Sequence, residues 1–213
     1  MPSPSRSAAH NESGPVVSDL DAETAEQLYR ANAYGLLGAL LHSAPDHEML
    51  ERLGGLADTP RERDELGVAM ALLGLAARGS DPMSLEDEFY ELFIGIGRGE
   101  LVPFGSWYQT GFLMERPLGL LRSDLREQGY VRAEESQEPE DHVAALCEVL
   151  GLLVRDGAPI ALQRRFFEAH VGRWMRQFFA DLEQAEAAAF YKAVGRFGTA
   201  FLAFEQEYLS MPA

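Results

Sequence analysis

The chain is patterned for helices along almost its whole length. Apolar residues recur at three- and four-residue spacing, the signature of a helix that buries one stripe. Tyr29, Ala33, Leu36, Leu37, Leu40 and Leu41 form such a stripe. It predicts a first helix from a cap at Ser18 or Asp21 to about Ser43. Pro45 opens a short second helix that ends at Gly54-Gly55. Pro60 precedes a third, Arg61 to Arg78, with Leu66, Met70, Leu73 and Ala77 inward. Gly79-Ser80-Asp81-Pro82 interrupts the chain, and Pro82 starts a fourth helix carrying Phe89, Leu92 and Phe93. Gly95 to Gly99 reads as a hinge between two helical halves. No strand precedes it, so its glycines are not a dinucleotide fingerprint. Val102 to Met114 is aromatic and mixed, and its Phe104, Trp107, Tyr108 and Phe112 suit either a core or a groove edge.

The second half continues in the same period. Pro117 begins a helix to about Gln128, closed by Gly129 and followed by an acidic loop from Tyr130 to Gln137. Val143, Leu146, Leu150, Leu153 and Val154 mark a buried helix. Pro159 starts a single helix to about Ala180, striped by Phe167, His170, Val171, Trp174, Met175 and Phe178. On that stripe His170 reads as a satisfied core histidine. Arg164-Arg165 reads as a solvated pair. Phe190, Val194, Phe197, Phe201, Phe204 and Tyr208 share one face of a last, packing helix. No segment alternates long enough for a sheet. The expectation is an all-α, single-domain helical bundle over residues 18–213, behind a disordered N-terminal tail over residues 1–17.

Composition narrows the function. With 213 residues and 46% hydrophobic content, the chain can bury a sizeable core. Its net charge of −16 argues against a nucleic-acid partner, which would need clustered Lys and Arg. The single cysteine, Cys147, excludes an internal disulfide and fits a reducing compartment; within its apolar helix it reads as a small core residue. No apolar run approaches the length of a membrane span. Met1 to Val17 lacks the apolar core of a secretory signal. These features point to a cytoplasmic location.

The chemistry-bearing stretch is Glu138-Pro139-Glu140-Asp141-His142, which crowds three carboxylates and one of five histidines ahead of an apolar helix. Pro139 suits a first helical turn, and Glu140 and Asp141 suit the positive end of a helix dipole. The plain reading is a capped helix start. An acid–base pair, with Asp141 orienting His142, is the alternative, although adjacent helical residues do not face each other. His10, His42, His47 and His170 form no metal-ligand spacing. No nucleophile elbow or phosphate loop is present. No catalytic residues, metal site or cofactor are expected. The acidic lip and the aromatics after the glycine loop suit a peptide that is apolar along its length and basic at one end.

Three motifs carry a family resemblance. Glu138-Pro139-Glu140-Asp141-His142 looks like the E-P-x-D-H signature of the TorD/DmsD family of redox-enzyme maturation chaperones. Phe89-Tyr90-Glu91-Leu92-Phe93 resembles its Y-x-x-L-F element, and Pro103-Phe104-Gly105-Ser106-Trp107-Tyr108 its P-W-G-S-x-Y element. The likeness runs from about Glu86 to the C-terminus and more loosely back to Leu20. Phe104 departs from it, standing where tryptophan is common. The resemblance implies a chaperone that binds the twin-arginine leader and apo catalytic subunit of a molybdenum-cofactor-containing oxidoreductase and holds it for cofactor insertion before export. On that reading Pro103, Phe104, Gly105, Ser106, Trp107 and Tyr108 line an apolar groove. Glu138, Pro139, Glu140, Asp141 and His142 stand at its mouth, where the last three meet the leader's arginines. Within the family the alternatives are a chaperone of a leaderless nitrate-reductase-type subunit and a nucleotide-binding helical protein using Gly95 to Gly99. The chain is expected to be a monomer or a homodimer, with exchange of halves at that hinge as one route to the dimer.

Overall fold

The buried stripes assemble into an all-α bundle. The computed structural model describes residues 19–58, 64–130 and 138–211. The expected tail over residues 1–17, the Ser18 cap, the start of the third helix at residues 61–63 and the acidic loop at 131–137 lie outside the described residues. Among the described residues there are ten α-helices and no strand. In chain order they are α1 (Asp19–His42), α2 (His47–Gly54), α3 (Glu65–Arg78), α4 (Pro82–Phe89), α5 (Gly105–Thr110), α6 (Arg116–Glu127), α7 (Val143–Arg155), α8 (Ile160–His170), α9 (Met175–Gln184) and α10 (Phe190–Ser210).

The starts of α2, α3 and α4 follow side-chain chemistry. Asp46, Asp64 and Asp81 each accept a backbone N–H three residues on, which satisfies a donor that the first turn leaves free. The second helix thus begins after Asp46 rather than at Pro45. The chain continues beyond α4 through a π-helical turn, Tyr90–Ile94.

Helix α1 lies along α7. A Cβ added at Gly151 would come 3.4 Å from the Tyr34 Cβ, so the small residue permits the close crossing. Helix α10 is the centre, touching α1, α3, α8 and α9. One buried polar network holds this centre together. Arg30 of α1 pairs with Glu205 of α10, both side chains fully buried, at 2.5 and 2.8 Å. Arg30 also donates to Gln163 of α8 at 2.9 Å, and the Tyr34 hydroxyl donates to Glu205 at 2.9 Å. Every charged group there has partners, which a buried ion pair requires.

Three expectations need correction. The single helix over 159–180 is two helices. Between them Val171 N–H and Gly172 N–H both donate to the Phe167 carbonyl, at 2.9 and 2.8 Å, and the Trp174 indole N–H donates to the His170 carbonyl at 2.7 Å. The apolar stripe stays in phase across the break, which hides it from periodicity. Arg164 is not a solvated residue: its guanidinium donates to the carbonyls of Leu209 and Met211, at the end of α10. Pro139 is not in a first helical turn, because α7 begins only at Val143.

The Gly95–Gly99 loop is fastened on both sides. Glu100 accepts from the N–H groups of Glu186 and Ala187 at 2.7 and 2.9 Å. Glu88 accepts from Ala189 at 2.7 Å, Phe190 at 3.2 Å and Tyr191 at 2.8 Å. Two carboxylates flanking the loop therefore hold the connector from α9 into α10.

Candidate functional site

The two motif blocks meet backbone to backbone. Val143 N–H donates to the Pro103 carbonyl and Gly105 N–H to the Asp141 carbonyl, both at 2.9 Å. Phe104 and His142 face each other in an isolated antiparallel bridge, with their rings edge-on at 4.9 Å. Asp141, only 3% exposed, points its Oδ2 at the Ser106 N–H, 2.7 Å away. The carboxylate of one block thereby starts the short helix α5 of the other. The Asp141 Oδ1 and the Ser106 hydroxyl are buried, with no partner among the described residues.

His142 is 6% exposed and serves as the N-cap of α7. Its Nδ1 accepts from the Ala144 N–H at 3.2 Å. Acceptance at that nitrogen requires an unprotonated Nδ1, so the neutral imidazole is the form that fits. Burial pushes its pKa below the ordinary 6.5, while the Glu138 carboxylate, 3.7 Å from Nδ1, pulls the other way and loses. Glu138 itself is exposed. Glu140 is ion-paired with Arg122 of α6 at 2.8 Å.

The aromatic block splits into a floor and a surface. Pro103, Gly105 and Ser106 are buried. Gly105 sits against the Trp174 indole, where an added Cβ would lie 3.0 Å from Nε1. The Tyr108 ring packs on Trp174 and its hydroxyl donates to Asp181 at 3.0 Å. Burial and the Asp181 charge push the Tyr108 pKa up. Phe104 and Trp107 are partly exposed, and the Arg98 guanidinium stands over the Trp107 ring at 5.3 Å. Beyond the ends of this block, Ile96 is 98% and Phe112 68% exposed.

The structure thus brings all eleven sequence-predicted residues, Pro103 to Tyr108 and Glu138 to His142, into two adjoining segments. It places Asp141 and His142 beneath the surface and Phe104, Trp107, Glu138 and part of Glu140 on it. Sequence reasoning missed Arg98, Trp174 and Asp181. Trp174 was visible only as one more member of a core stripe, and Arg98 only as a loop residue between glycines. His170 is satisfied as expected, its Nε2 standing 2.7 Å from Asp124. Among the described residues no group of three or more His, Cys, Asp or Glu is placed to hold a metal ion. No described helix is long and apolar enough to cross a membrane.

The helical bundle has a solved counterpart. The fold matches the crystal structure of a putative redox enzyme maturation protein from Archaeoglobus fulgidus with a TM-score of 0.53, at 20% identity, covering 82% of this chain and 93% of that one. The family model for the nitrate reductase delta subunit matches residues 59–180. A chaperone protein TorD from Vibrio cholerae is 30% identical over 176 residues, 77% of this chain and 79% of the relative. One from Aliivibrio fischeri is 26% identical over 210 residues, 88% and 97% of the two chains. The chain belongs to the nitrate reductase delta subunit and TorD family.

Proposed function

We propose that the protein is a cytoplasmic maturation chaperone of a molybdenum-cofactor-containing oxidoreductase. It binds the twin-arginine leader of the apo catalytic subunit and holds the subunit until the cofactor is in place. The carrying observation is the pair of partly exposed aromatics, Phe104 and Trp107, on the segment whose backbone is joined to the one that bears the exposed Glu138. Their backbone is pinned by Asp141, so little ordering is needed when a peptide binds.

The roles divide accordingly. Phe104 and Trp107 take the leader's apolar segment, at roughly 25 cal/mol per Å² buried before ordering costs. Glu138 meets a leader arginine, and an exposed pair of that kind contributes about 1 kcal/mol or less. Glu140 can meet a second only by exchanging its bond to Arg122. Pro103, Gly105, Ser106, Tyr108, Pro139, Asp141 and His142 shape the platform.

Calorimetric titration with the twin-arginine leaders encoded beside the gene tests the reading. Low-micromolar or tighter binding to one leader, lost when its arginines and apolar core are replaced, supports it. Absence of binding to every leader refutes leader recognition.

A second reading rests on the matched family model, which is that of the nitrate reductase delta subunit. On it the client is a catalytic subunit without a cleaved leader. Binding to such an apo subunit, undiminished when its N-terminal segment is deleted, distinguishes the two.

A further inference from the structure

The Gly95–Gly99 loop presents one cation to the candidate site. The Arg98 guanidinium stands over the Trp107 ring, 5.3 Å from its centroid, within the reach of a cation–π contact. Its setting differs from that of Arg30, Arg78, Arg122 and Arg196, which each rest on a carboxylate. Glu100, two residues on, is committed elsewhere, its two carboxylate oxygens accepting the N–H groups of Glu186 and Ala187. The loop that carries Arg98 is built rather than slack. Gly95, at φ +59°, turns so tightly that a Cβ there would strike the Arg98 carbonyl. Gly95 N–H donates to the Tyr90 carbonyl at 2.7 Å, and Leu101 N–H to the Leu92 carbonyl at 2.8 Å. The backbone of Arg98 is therefore held, and its exposed side chain is the part that can leave the ring.

We infer that Arg98 is an intramolecular competitor for the face of Trp107. The inference rests on the leader-binding reading above and adds a regulation of that same site. In the unbound protein the guanidinium covers the ring. The leader's apolar segment reaches the same face only after Arg98 has swung into solvent. A guanidinium suits this exchange, because it stacks on aromatic faces yet stays charged and soluble when released. The cover keeps an aromatic surface from unselective apolar contact while the site is empty. Arg98 also stands ready to retake the ring as the leader departs, since its own backbone does not move.

Arg98→Gln removes the cation from an exposed position and should leave the bundle intact. Without leader, acrylamide should quench the tryptophan emission of this variant more strongly than that of the wild type. The change reports Trp107, since the second tryptophan, Trp174, is 2% exposed. With leader, calorimetry should show affinity tightened about two- to fivefold, the equivalent of an exposed cation–π contact. In a Trp107→Leu background the same substitution should leave affinity unchanged, because the ring it frees is gone. Unchanged quenching overturns the inference. So does a gain that persists in the Trp107→Leu background, which would be charge repulsion alone. A leader bound equally by the wild type and Arg98→Gln overturns the inference and leaves the leader reading standing; no leader bound by either takes both down.

Discussion

The Asp141 carboxylate accepts the Ser106 backbone N–H at 2.7 Å, across 35 residues of chain. Together with the two backbone bonds beside it, this bond makes the position of one motif depend on the other. Removing it leaves a buried donor without a partner, at a cost of about 1–3 kcal/mol. Asp141→Ala should lower the melting temperature and weaken peptide binding together. Asp141→Asn retains a carbonyl acceptor and should recover most of the stability. Thermal denaturation of the two variants checks the order; equal melting temperatures would remove the capping role.

His142 should make stability depend on pH. Its folded pKa lies below the 6.5 of the unfolded chain, so the unfolded state takes up a proton first as pH falls. Its contribution is fully present above pH 6.5 and declines between that value and the lower folded pKa. His142→Asn keeps an N-cap acceptor without a titrating ring. Urea midpoints for the wild type should drop across this window more than those for the variant. Proton NMR of the imidazole should show the depressed titration directly.

Arg30 and Glu205 should behave as a unit. Arg30→Met leaves a buried, uncompensated carboxylate and should cost about 3–5 kcal/mol. Arg30→Met with Glu205→Leu removes both charges and should recover much of that loss. Chemical denaturation of the single and double variants measures the coupling; additive losses would contradict it.

Trp107 should separate binding from folding. Its ring is partly exposed, so Trp107→Ser should lower the melting temperature less than truncation of a fully buried aromatic would. On the proposed function it should weaken leader affinity about tenfold, the loss of roughly 1.4 kcal/mol of burial. Titration calorimetry and a thermal melt on the same preparation make the comparison.

Most of the bundle is legible in the sequence because burial imprints a helical period. The last helix shows this plainly, from Phe190 to Tyr208. The break between α8 and α9 is not legible, since Phe167, His170, Val171 and Trp174 keep one phase across it. Its causes are the packing of Gly172 against the Phe167 ring and the bond from the Trp174 indole to the His170 carbonyl. Motif order singles out the two blocks that the fold joins, whereas the depth of their residues leaves no trace in the sequence. Asp141 and Glu140 are neighbours with the same charge chemistry. One is buried because its partner is a backbone amide 35 residues away, and the other pairs with Arg122 at the rim. No local pattern distinguishes them.

The two carboxylates on either side of the glycine loop have a consequence for how this chain can vary. Because Glu88 and Glu100 both anchor to the same connector, the ends of the loop stay in place whatever lies between them. Doubling the loop would then cost only about 0.6 kcal/mol of closure entropy. Insertions at Ile96 to Arg98, beside the Trp107 ring, should be tolerated by the bundle. This makes the loop the place where a recognition surface can be rewritten, by evolution or by design, without disturbing the fold that carries it.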